Sequence, residues 1–322
     1  MLCLTEEDIL KAVTPLEIIN SIESALILYE KKECHMPDRM HVDYKGNTLL
    51  LMPCFIQKSF GTKLVTVFPE NINKNLPAVK GVMVLNDGET GAPQALINGS
   101  ALTALRTGAV GSISIKYLTP ENTHSLGIVG AGIQGFHQAL FASTVRKFSD
   151  IYVFDCNPEK IPPFIEKLSK IRPKIQVHQT QSAEDLLKRT QVVITSTTSV
   201  APVLPDKKEL LEAKHFVGIG SYKPDMREFP GALFRLLKRI FIDTEHAIKE
   251  TGDIVFPLKK KWITIDRVYT LGKLITGYES WQEGKKETTL FKSVGMALFD
   301  IVVSKLIYDK AVQKGLGKEI KL

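Results

Sequence analysis

The chain of 322 residues has little of what marks several classes of protein. Its four cysteines show no C-x-x-C spacing, and they are interpreted as reduced, mostly structural thiols of a cytoplasmic protein. Its apolar runs are all shorter than a membrane span, so no membrane partner is expected. No group of histidine, cysteine and carboxylate residues has the spacing of metal ligands, which predicts that no catalytic metal is bound.

A large excess of charge is also missing. The 42 lysines and arginines outnumber the 35 aspartates and glutamates only slightly, which gives a formal net charge of +7. No nucleic-acid-binding pattern accompanies this charge, but it would suit anionic small substrates. The pair Lys285 and Lys286 is interpreted as part of a solvated face. The acidic residues Glu6, Glu7 and Asp8 argue against a signal or transit peptide, so a cytoplasmic location is expected.

Glycine, by contrast, is concentrated at one informative place. The apolar run Leu126–Val129 is typical of a buried parallel strand, and Gly130, Gly132 and Gly135 follow it with G-x-G-x-x-G spacing. In this pattern the first glycine allows a tight turn, the second lets the backbone approach a pyrophosphate, and the third lets a helix pack on the strand. The predicted dinucleotide-binding residues are Gly130, Ala131, Gly132, Ile133 and Gln134.

A carboxylate at the end of the next apolar run indicates which dinucleotide is bound. The run Ile151–Phe154 ends in Asp155, whose carboxylate can accept hydrogen bonds from both ribose hydroxyls. A 2′-phosphate beside this carboxylate would be repelled, so NAD is favoured over NADP. The alternative is that Asp155 only caps the next helix, around Pro158.

Beyond Asp155 the sequence alternates between strand and helix patterns. Buried strands are predicted at Val192–Ser196, His215–Gly220 and Ile240–Asp243, which is typical of a doubly wound parallel sheet. Ligands of such sheets bind at the carboxyl ends of the strands. Further cofactor-binding candidates at these ends are therefore Ser196, Thr197, Thr198 and Gly220. For the serines and threonines, an ordinary strand-to-loop turn is an equally good interpretation.

In the first third of the chain, several strand patterns precede one long helix. Strands are predicted at Thr48–Met52, Lys63–Phe68 and Val79–Leu85, and a helix rich in small residues at Ala101–Tyr117. The last long helix is predicted at Val294–Lys314.

Three cations in this first third could receive an anionic substrate. Arg39, Lys63 and Arg106 together could bind a carboxylate, because guanidinium groups are good carboxylate receptors. A buried lysine with a lowered pKa could also serve as a proton donor. For any one of the three taken alone, a surface salt bridge is the alternative interpretation.

Several segments in order along the chain resemble the ornithine cyclodeaminase/mu-crystallin family, over nearly its full length. The matching segments are Met36–Arg39, Gly61–Lys63, Phe68–Asn71, Leu102–Ala109, Gly127–Gln134, Gly220–Glu228 and Leu290–Gly295, with Asp300 after them.

The resemblance implies a Rossmann-type doubly wound parallel sheet inserted into a smaller α+β domain for substrate binding and dimerisation. On this basis the substrate domain is predicted at residues 1–118 and 300–322, and the NAD-binding domain at 119–299. The resemblance also implies a homodimer, a cofactor contact at Ser293, and a substrate carboxylate held by Arg39, Lys63 and Arg106, with Lys63 orienting or protonating the reacting group.

One departure from the family pattern bears on the reaction. Cyclodeaminases carry a motif like Gly-Gly-Asp-x-Pro-Gly-Lys-x-Glu, whose aspartate takes a proton from the distal amine. Alignment on Pro224 and Glu228 puts Tyr222 at that aspartate and Met226 at the lysine. A phenol is a poor base at neutral pH.

The predicted function is therefore an NAD(P)H-dependent reductase of small imino or keto acids, of the Δ1-pyrroline-2-carboxylate, ketimine or alanine dehydrogenase type. Two alternatives remain open. One is ornithine cyclodeaminase, which forms proline and ammonia from ornithine, and the other is a non-catalytic, mu-crystallin-like protein that binds small ligands.

Overall fold

The computed structural model describes residues 1–74, 76–280 and 287–321. Lys285 and Lys286, interpreted above as a solvated pair, lie outside the described residues. The described part divides into two compact units. The first, here called the discontinuous unit, comprises Met1–Arg106 and Met296–Leu322, and the second, the central unit, comprises Thr107–Gly295.

The first hundred or so residues form mostly strands. In chain order the elements are β1 (Leu2–Leu4), α1 (Glu6–Ala12), α2 (Pro15–Glu30), β2 (Cys34–His35), β3 (Met40–Tyr44), β4 (Asn47–Ile56), β5 (Ser59–Val67), β6 (Val79–Asp87), β7 (Pro93–Asn98) and α3 (Gly99–Leu118).

The remainder of the chain alternates between strands and helices. The elements are β8 (Ser125–Val129), α4 (Ile133–Val145), β9 (Asp150–Phe154), α5 (Ile161–Ile171), β10 (Gln176–Gln179), α6 (Ala183–Arg189), β11 (Val192–Thr195), α7 (Lys208–Leu211), β12 (His215–Gly218), α8 (Gly231–Leu236), β13 (Ile240–Ile242), α9 (Ala247–Glu250), α10 (Gly252–Lys259), β14 (Val268–Thr270), α11 (Leu271–Ile275), β15 (Thr289–Lys292), α12 (Ala297–Lys314) and β16 (Lys318–Glu319). Short 3₁₀ helices lie at Pro69–Lys74, Pro158–Lys160 and Ile265–Arg267.

The discontinuous unit is a mixed sheet with helices on one face. The strand order is β16-β1-β7-β6-β5-β4-β2, and β3 pairs with β4. Helix α12 packs on α2 and α1 and covers β4, β5 and β6. The cross-strand set Met52, Lys63 and Met83 is buried. The other face is partly exposed along β3, because Met40, Val42 and Tyr44 all remain accessible.

Several predicted boundaries in and beside this unit were wrong. Strand β5 begins at Ser59 rather than at Lys63, because its pairing with β4 and β6 extends back to Ser59. Strand β4 continues past Met52, and Pro53 is tolerated because it lies in the gap between the end of β3 pairing at Leu51 and the start of β2 pairing at Phe55. The last helix begins at Ala297 rather than Val294. The amides of Val294 and Gly295 instead donate to the carboxylate of Asp243.

The central unit has the predicted doubly wound parallel sheet. Its strand order is β10-β9-β8-β11-β12-β15-β13-β14, and every neighbouring pair is parallel. The direction of winding reverses between β8 and β11, and the carboxyl ends of these strands are where such sheets bind ligands. No helix in the described ranges is both long enough and apolar enough to cross a membrane.

The boundaries between the two units differ from the predicted domain boundaries. The structure divides the chain after Arg106 and after Gly295, whereas the sequence prediction placed the limits after Leu118 and at residue 300. The first difference arises because α3 is one continuous helix that contributes residues to both units. The assignment of substrate and NAD functions to the two predicted domains stays a prediction.

Candidate active site

In the central unit, the glycine pattern forms a tight turn from β8 into α4. Gly130 has φ +104°, and a Cβ there would lie 2.8 Å from the carbonyl oxygen of Ser196. A Cβ on Gly135 would lie 2.0 Å from the carbonyl oxygen of Gly130, so only glycine allows this close packing of helix on turn. Gly132 precedes the first residue of α4, and nothing lies within 4 Å of the position of its Cβ.

The start of α4 therefore fits the pyrophosphate of a dinucleotide. Open space at Gly132 lets a phosphate approach the amides at the helix start, where the helix dipole favours an anion. Ile133 is exposed beside this space. The Oε1 atom of Gln134 is buried and has no hydrogen-bond partner among the described residues, so it is available to a ligand.

Asp155 follows β9 and is tied to the same turn. Its Oδ2 accepts from the amide of Ala131 at 2.8 Å, and its Oδ1 accepts from the amide of Asn157 at 2.8 Å. The alternative that Asp155 caps the next helix is wrong, because the side chain of Asn157 caps the 3₁₀ helix at Pro158. The carboxylate is half-buried, and its charge would repel a 2′-phosphate.

The loops after β11 and β12 lie at the same edge of the sheet. The Ser196 hydroxyl donates to the carbonyl of Gly130 at 3.1 Å. The amides of Thr197 and Gly220 both donate to the carboxylate of Glu228. Thr198 is exposed. Ser293 follows β15 and donates from Oγ to Asp243 Oδ2 at 2.7 Å. The glycine turn and the loops that follow β11 and β12 thus lie at one edge of the parallel sheet, as the predicted cofactor site requires.

Behind these loops lies a set of buried charges that the sequence analysis did not identify as functional. It is called the Lys292 cluster and consists of Glu228, Asp253 and Lys292, all fully buried. Lys292 Nζ lies 4.0 Å from Asp253 Oδ2. Burial raises the pKa of Asp253, while the positive charge of Lys292 opposes that rise. Burial also lowers the pKa of Lys292.

In the discontinuous unit, two of the three predicted cations meet at a buried carboxylate. Lys63 Nζ on β5 lies 2.8 Å from Asp300 Oδ2, and Arg106 Nε on α3 lies 3.2 Å from Asp300 Oδ1. The Thr103 hydroxyl accepts from Lys63 Nζ at 3.3 Å. The group of Lys63, Arg106 and Asp300 is called the Asp300 cluster. Because Lys63 is 2 % and Arg106 7 % exposed, a surface salt bridge is the wrong interpretation for both.

Burial and neighbouring charges set the pKa of Lys63. The pKa of Lys63 is lowered to about 8, chiefly by burial; Asp300 raises this pKa, and the charges of Arg106 and Arg39 add to its lowering. Arg39, half-buried before β3, is thus near enough for its charge to act on Lys63. With two cations and one anion, the cluster has surplus positive charge for the carboxylate of a ligand.

Asp300 is the site residue for which sequence reasoning gave no role. It lies on α12 among the buried residues Leu298, Phe299 and Ile301. An acid within an apolar helix is rarely buried unless cations pair with it, and that pattern could have pointed to Lys63 and Arg106.

The fold and the two clusters define a two-unit α/β protein with a Rossmann-type sheet inserted into a sheet-and-helix unit that holds a buried cation pair. The model of the Ornithine cyclodeaminase/mu-crystallin family matches residues 1–315, and the chain belongs to this family. A Delta(1)-pyrroline-2-carboxylate reductase of Bacillus cereus is 31% identical over the whole of both chains. An alanine dehydrogenase of Archaeoglobus fulgidus is also 31% identical, over 99% of this chain and 98% of its own.

A solved structure is similar over the same extent. Thermococcus litoralis Delta(1)-pyrroline-2-carboxylate reductase, in complex with NADH and L-proline, superposes with a TM-score of 0.93 at 32% identity, covering 99% of this chain and 100% of its own. An archaeal alanine dehydrogenase dimer with bound NAD superposes with a TM-score of 0.91 at 31% identity, over 100% of this chain and 99% of its own.

Proposed function

We propose that this protein is an NADH-dependent reductase of small cyclic imino acids, with Δ1-pyrroline-2-carboxylate as the representative substrate. The observation that carries the proposal is the Asp300 cluster, in which two buried cations share one buried carboxylate. Buried cations in excess create a strong receptor for a carboxylate. Relatives named for imine reduction and for alanine dehydrogenation support the same chemistry.

NADH is the cofactor that the central unit fits. The turn at Gly130–Gly132 would hold the pyrophosphate, Asp155 the adenine-side ribose, and the loops at Thr197 and Gly220 the other half. When bound, the reduced nicotinamide supplies a hydride to the carbon of the C=N bond. Asp155 makes NADH a better cofactor than NADPH, because it leaves no favourable place for a 2′-phosphate.

The residues of the discontinuous unit bind and protonate the substrate. Arg106 and Arg39 hold the carboxylate of the imino acid, and Asp300 keeps Lys63 and Arg106 in place. The Lys63 ammonium donates a proton to the imine nitrogen, directly or through water, as the carbon receives the hydride. A pKa of about 8 suits this role, because Lys63 is then protonated at neutral pH yet able to release its proton.

Cyclodeamination is the less favoured alternative. Tyr222, at the position of the family's proton-abstracting aspartate, is 46% exposed, and the nearby Asp225 is exposed as well. The carboxylate of Glu228 already accepts hydrogen bonds from both loops. The described residues of this loop thus place no free carboxylate where the cyclodeaminase motif has its aspartate.

A homodimer is part of the proposal. Met40, Val42 and Tyr44 on β3 are 57%, 46% and 69% exposed, and Phe55 on β4 is 45% exposed. A contiguous apolar sheet face of this kind is typical of a surface that a second copy covers. Sedimentation velocity should therefore give the mass of two chains. Val42→Arg should give one chain, while Lys45→Ala on the adjacent turn should remain dimeric.

The function is tested by steady-state assays of the purified protein. NADH oxidation is measured with Δ1-pyrroline-2-carboxylate and with pyruvate plus ammonium, and proline formation is measured with ornithine plus NAD. We expect the highest kcat/KM for imine reduction, with NADH preferred to NADPH. Faster formation of proline from ornithine would contradict the proposal, and activity with pyruvate plus ammonium but not with Δ1-pyrroline-2-carboxylate would move it to the alanine dehydrogenase type.

A further inference from the structure

Glu228 connects the starts of two loops at the carboxyl edge of the parallel sheet. Its Oε1 accepts from the amide of Thr197 at 2.7 Å and from the Thr197 hydroxyl at 2.9 Å. Its Oε2 accepts from the amide of Gly220 at 2.8 Å and from that of Ser221 at 3.3 Å. One fully buried carboxylate therefore fixes the backbone that follows β11 and the backbone that follows β12.

The two loops also touch directly where Glu228 holds them. A Cβ on Gly220 would lie 1.9 Å from the carbonyl oxygen of Thr197 and 2.6 Å from Glu228 Oε1. This contact leaves no room for a side chain at Gly220. The loops and the carboxylate thus form a single close-packed arrangement, in which a shift of one loop would displace the other.

The other two members of the Lys292 cluster support Glu228 from behind. Asp253 Oδ1 accepts from the amides of Glu228 and Phe229 at 2.8 and 3.1 Å. The ammonium of Lys292 offsets the negative charges of Asp253 and Glu228, and Asp243 is a third carboxylate whose charge acts on it. Burying two carboxylates costs free energy that an apolar core would not cost, so the gain from such a cluster is a defined backbone arrangement.

We infer that Glu228 is a positioning residue for the dinucleotide, holding Thr197 and Gly220 ready for its nicotinamide half. The inference rests on the proposed function, in which this edge binds NADH. In a doubly wound sheet the two mononucleotide halves lie on either side of the reversal in strand order. Asp155 lies on the β9 side, which receives the adenine half, and Thr197 and Gly220 lie on the β11–β12 side.

The test is Glu228→Gln, measured by the dissociation constants of NADH and of 5′-AMP. Glutamine keeps one oxygen acceptor but puts an NH₂ group against the amides of the other loop, so only one loop stays held. We expect NADH to bind about 10-fold or more weakly, the loss expected for a charged hydrogen bond. Binding of 5′-AMP, which occupies only the adenine half, should stay within about twofold.

A matched control lies at the opposite edge of the same sheet. Gln191 Oε1 accepts from the amides of His124 and Ser125 at 2.8 and 3.2 Å, and so holds one backbone segment by a side-chain oxygen. Gln191→Met should lower the melting temperature yet leave the dissociation constants of NADH and 5′-AMP unchanged. Equal weakening of both ligands in Glu228→Gln would mean that Glu228 is only structural, and unchanged NADH binding would also overturn the inference.

A measurement on the wild-type protein keeps the inference testable if Glu228→Gln does not fold. Amide hydrogen exchange of Thr197 and Gly220 should already be slow without NADH, because the loops are held in advance. Exchange as fast as in exposed loops would overturn the inference. Wild-type protein that does not bind NADH at all would instead contradict the proposed function, so the two failures are distinguishable.

Discussion

Each unit buries one cluster of charges, and the two clusters have opposite composition. The Asp300 cluster has two cations and one anion, and its contacts are between side chains. The Lys292 cluster has one cation and two anions, and its carboxylates accept from backbone amides. Both are buried to a similar degree, so burial alone does not tell what a charged cluster does.

The difference lies in which charge is left without a full set of partners. Surplus positive charge in the Asp300 cluster can be balanced by the carboxylate of a substrate. In the Lys292 cluster both oxygens of Glu228 and one oxygen of Asp253 already accept from backbone amides, so this cluster fixes the backbone. Three changes within the clusters would test this comparison, and a fourth, at His215, would test a buried group that belongs to neither cluster.

Lys63→Met should have the largest effect, on activity. Removing the proton donor should lower kcat/KM for imine reduction by about 1,000-fold, within the usual range for general acid catalysis. NADH binding should be unchanged, because the cofactor residues belong to the other cluster's unit. Lys58→Met makes the same chemical change at an exposed position in the β4–β5 turn and should keep full activity. A non-catalytic binding protein would instead retain its ligand affinity in Lys63→Met.

Lys292→Met should mainly affect stability. It leaves Glu228 and Asp253 buried without a compensating cation, which should lower the free energy of unfolding by about 3 kcal/mol. Chemical denaturation at pH 7 measures this loss, and exposed Lys249→Met on α9 is the control. If Lys292→Met kept its stability but lost imine reduction, the two clusters would have the same kind of role.

Asp300→Asn should change the pH dependence of the reaction. Asp300 raises the pKa of Lys63, which is about 8, so its neutralisation lowers that pKa. The protonated donor is then lost at lower pH, and the basic limb of kcat/KM should shift down by about two units, a loss of about 50-fold at pH 8. Asp309→Asn changes an exposed carboxylate of the same helix and should keep the wild-type profile. An unshifted limb would mean that Lys63 is not the donor.

The smallest expected effect is on the pH dependence of stability, and it comes from the buried His215, which is uncharged at neutral pH. His215 lies between the hydroxyls of Ser114 and Thr289, at 3.1 and 2.8 Å, and burial lowers its pKa to about 3. The unfolded chain therefore takes up a proton near pH 6.5 that the folded chain does not, and stability falls as the pH falls below 6.5.

The expected loss between pH 6.5 and pH 5 is about 2 kcal/mol in the free energy of unfolding. Urea titrations at these two pH values measure it. His215→Asn should reduce this dependence even if it lowers stability at pH 7, whereas His41→Asn on exposed β3 should leave it intact. A dependence unaltered by His215→Asn would assign the acid sensitivity to other groups.

Local patterns predicted much of the fold. Helix α3 was expected at Ala101–Tyr117 and spans Gly99–Leu118, and the parallel sheet was expected from alternation of strand and helix. These features depend on neighbours in sequence, such as hydrophobic periodicity and glycine spacing. The start of α12 was missed because a distant carboxylate, Asp243, binds the amides of Val294 and Gly295.

In the Asp300 cluster the two cations were predictable from the sequence, but the anion was not. Arg106 and Lys63 could be proposed because a positively charged carboxylate receptor has a recognisable composition. Asp300 and Glu228 act through partners far away in sequence, and their roles depend on which side chain or amide the fold brings to them. Such partnerships become visible only once the strand order and register are known.

The cations of the Asp300 cluster are synthesised well before their shared anion. Lys63 and Arg106 leave the ribosome early, whereas their shared counterion, Asp300, is made after the entire central unit, which ends at Gly295. A nascent chain that stops before α12 would have to bury two cations with no anion between them. The discontinuous unit therefore cannot pair its buried cations with Asp300 until α12 has been translated, and a truncated product ending at Gly295 should be readily degraded by proteases.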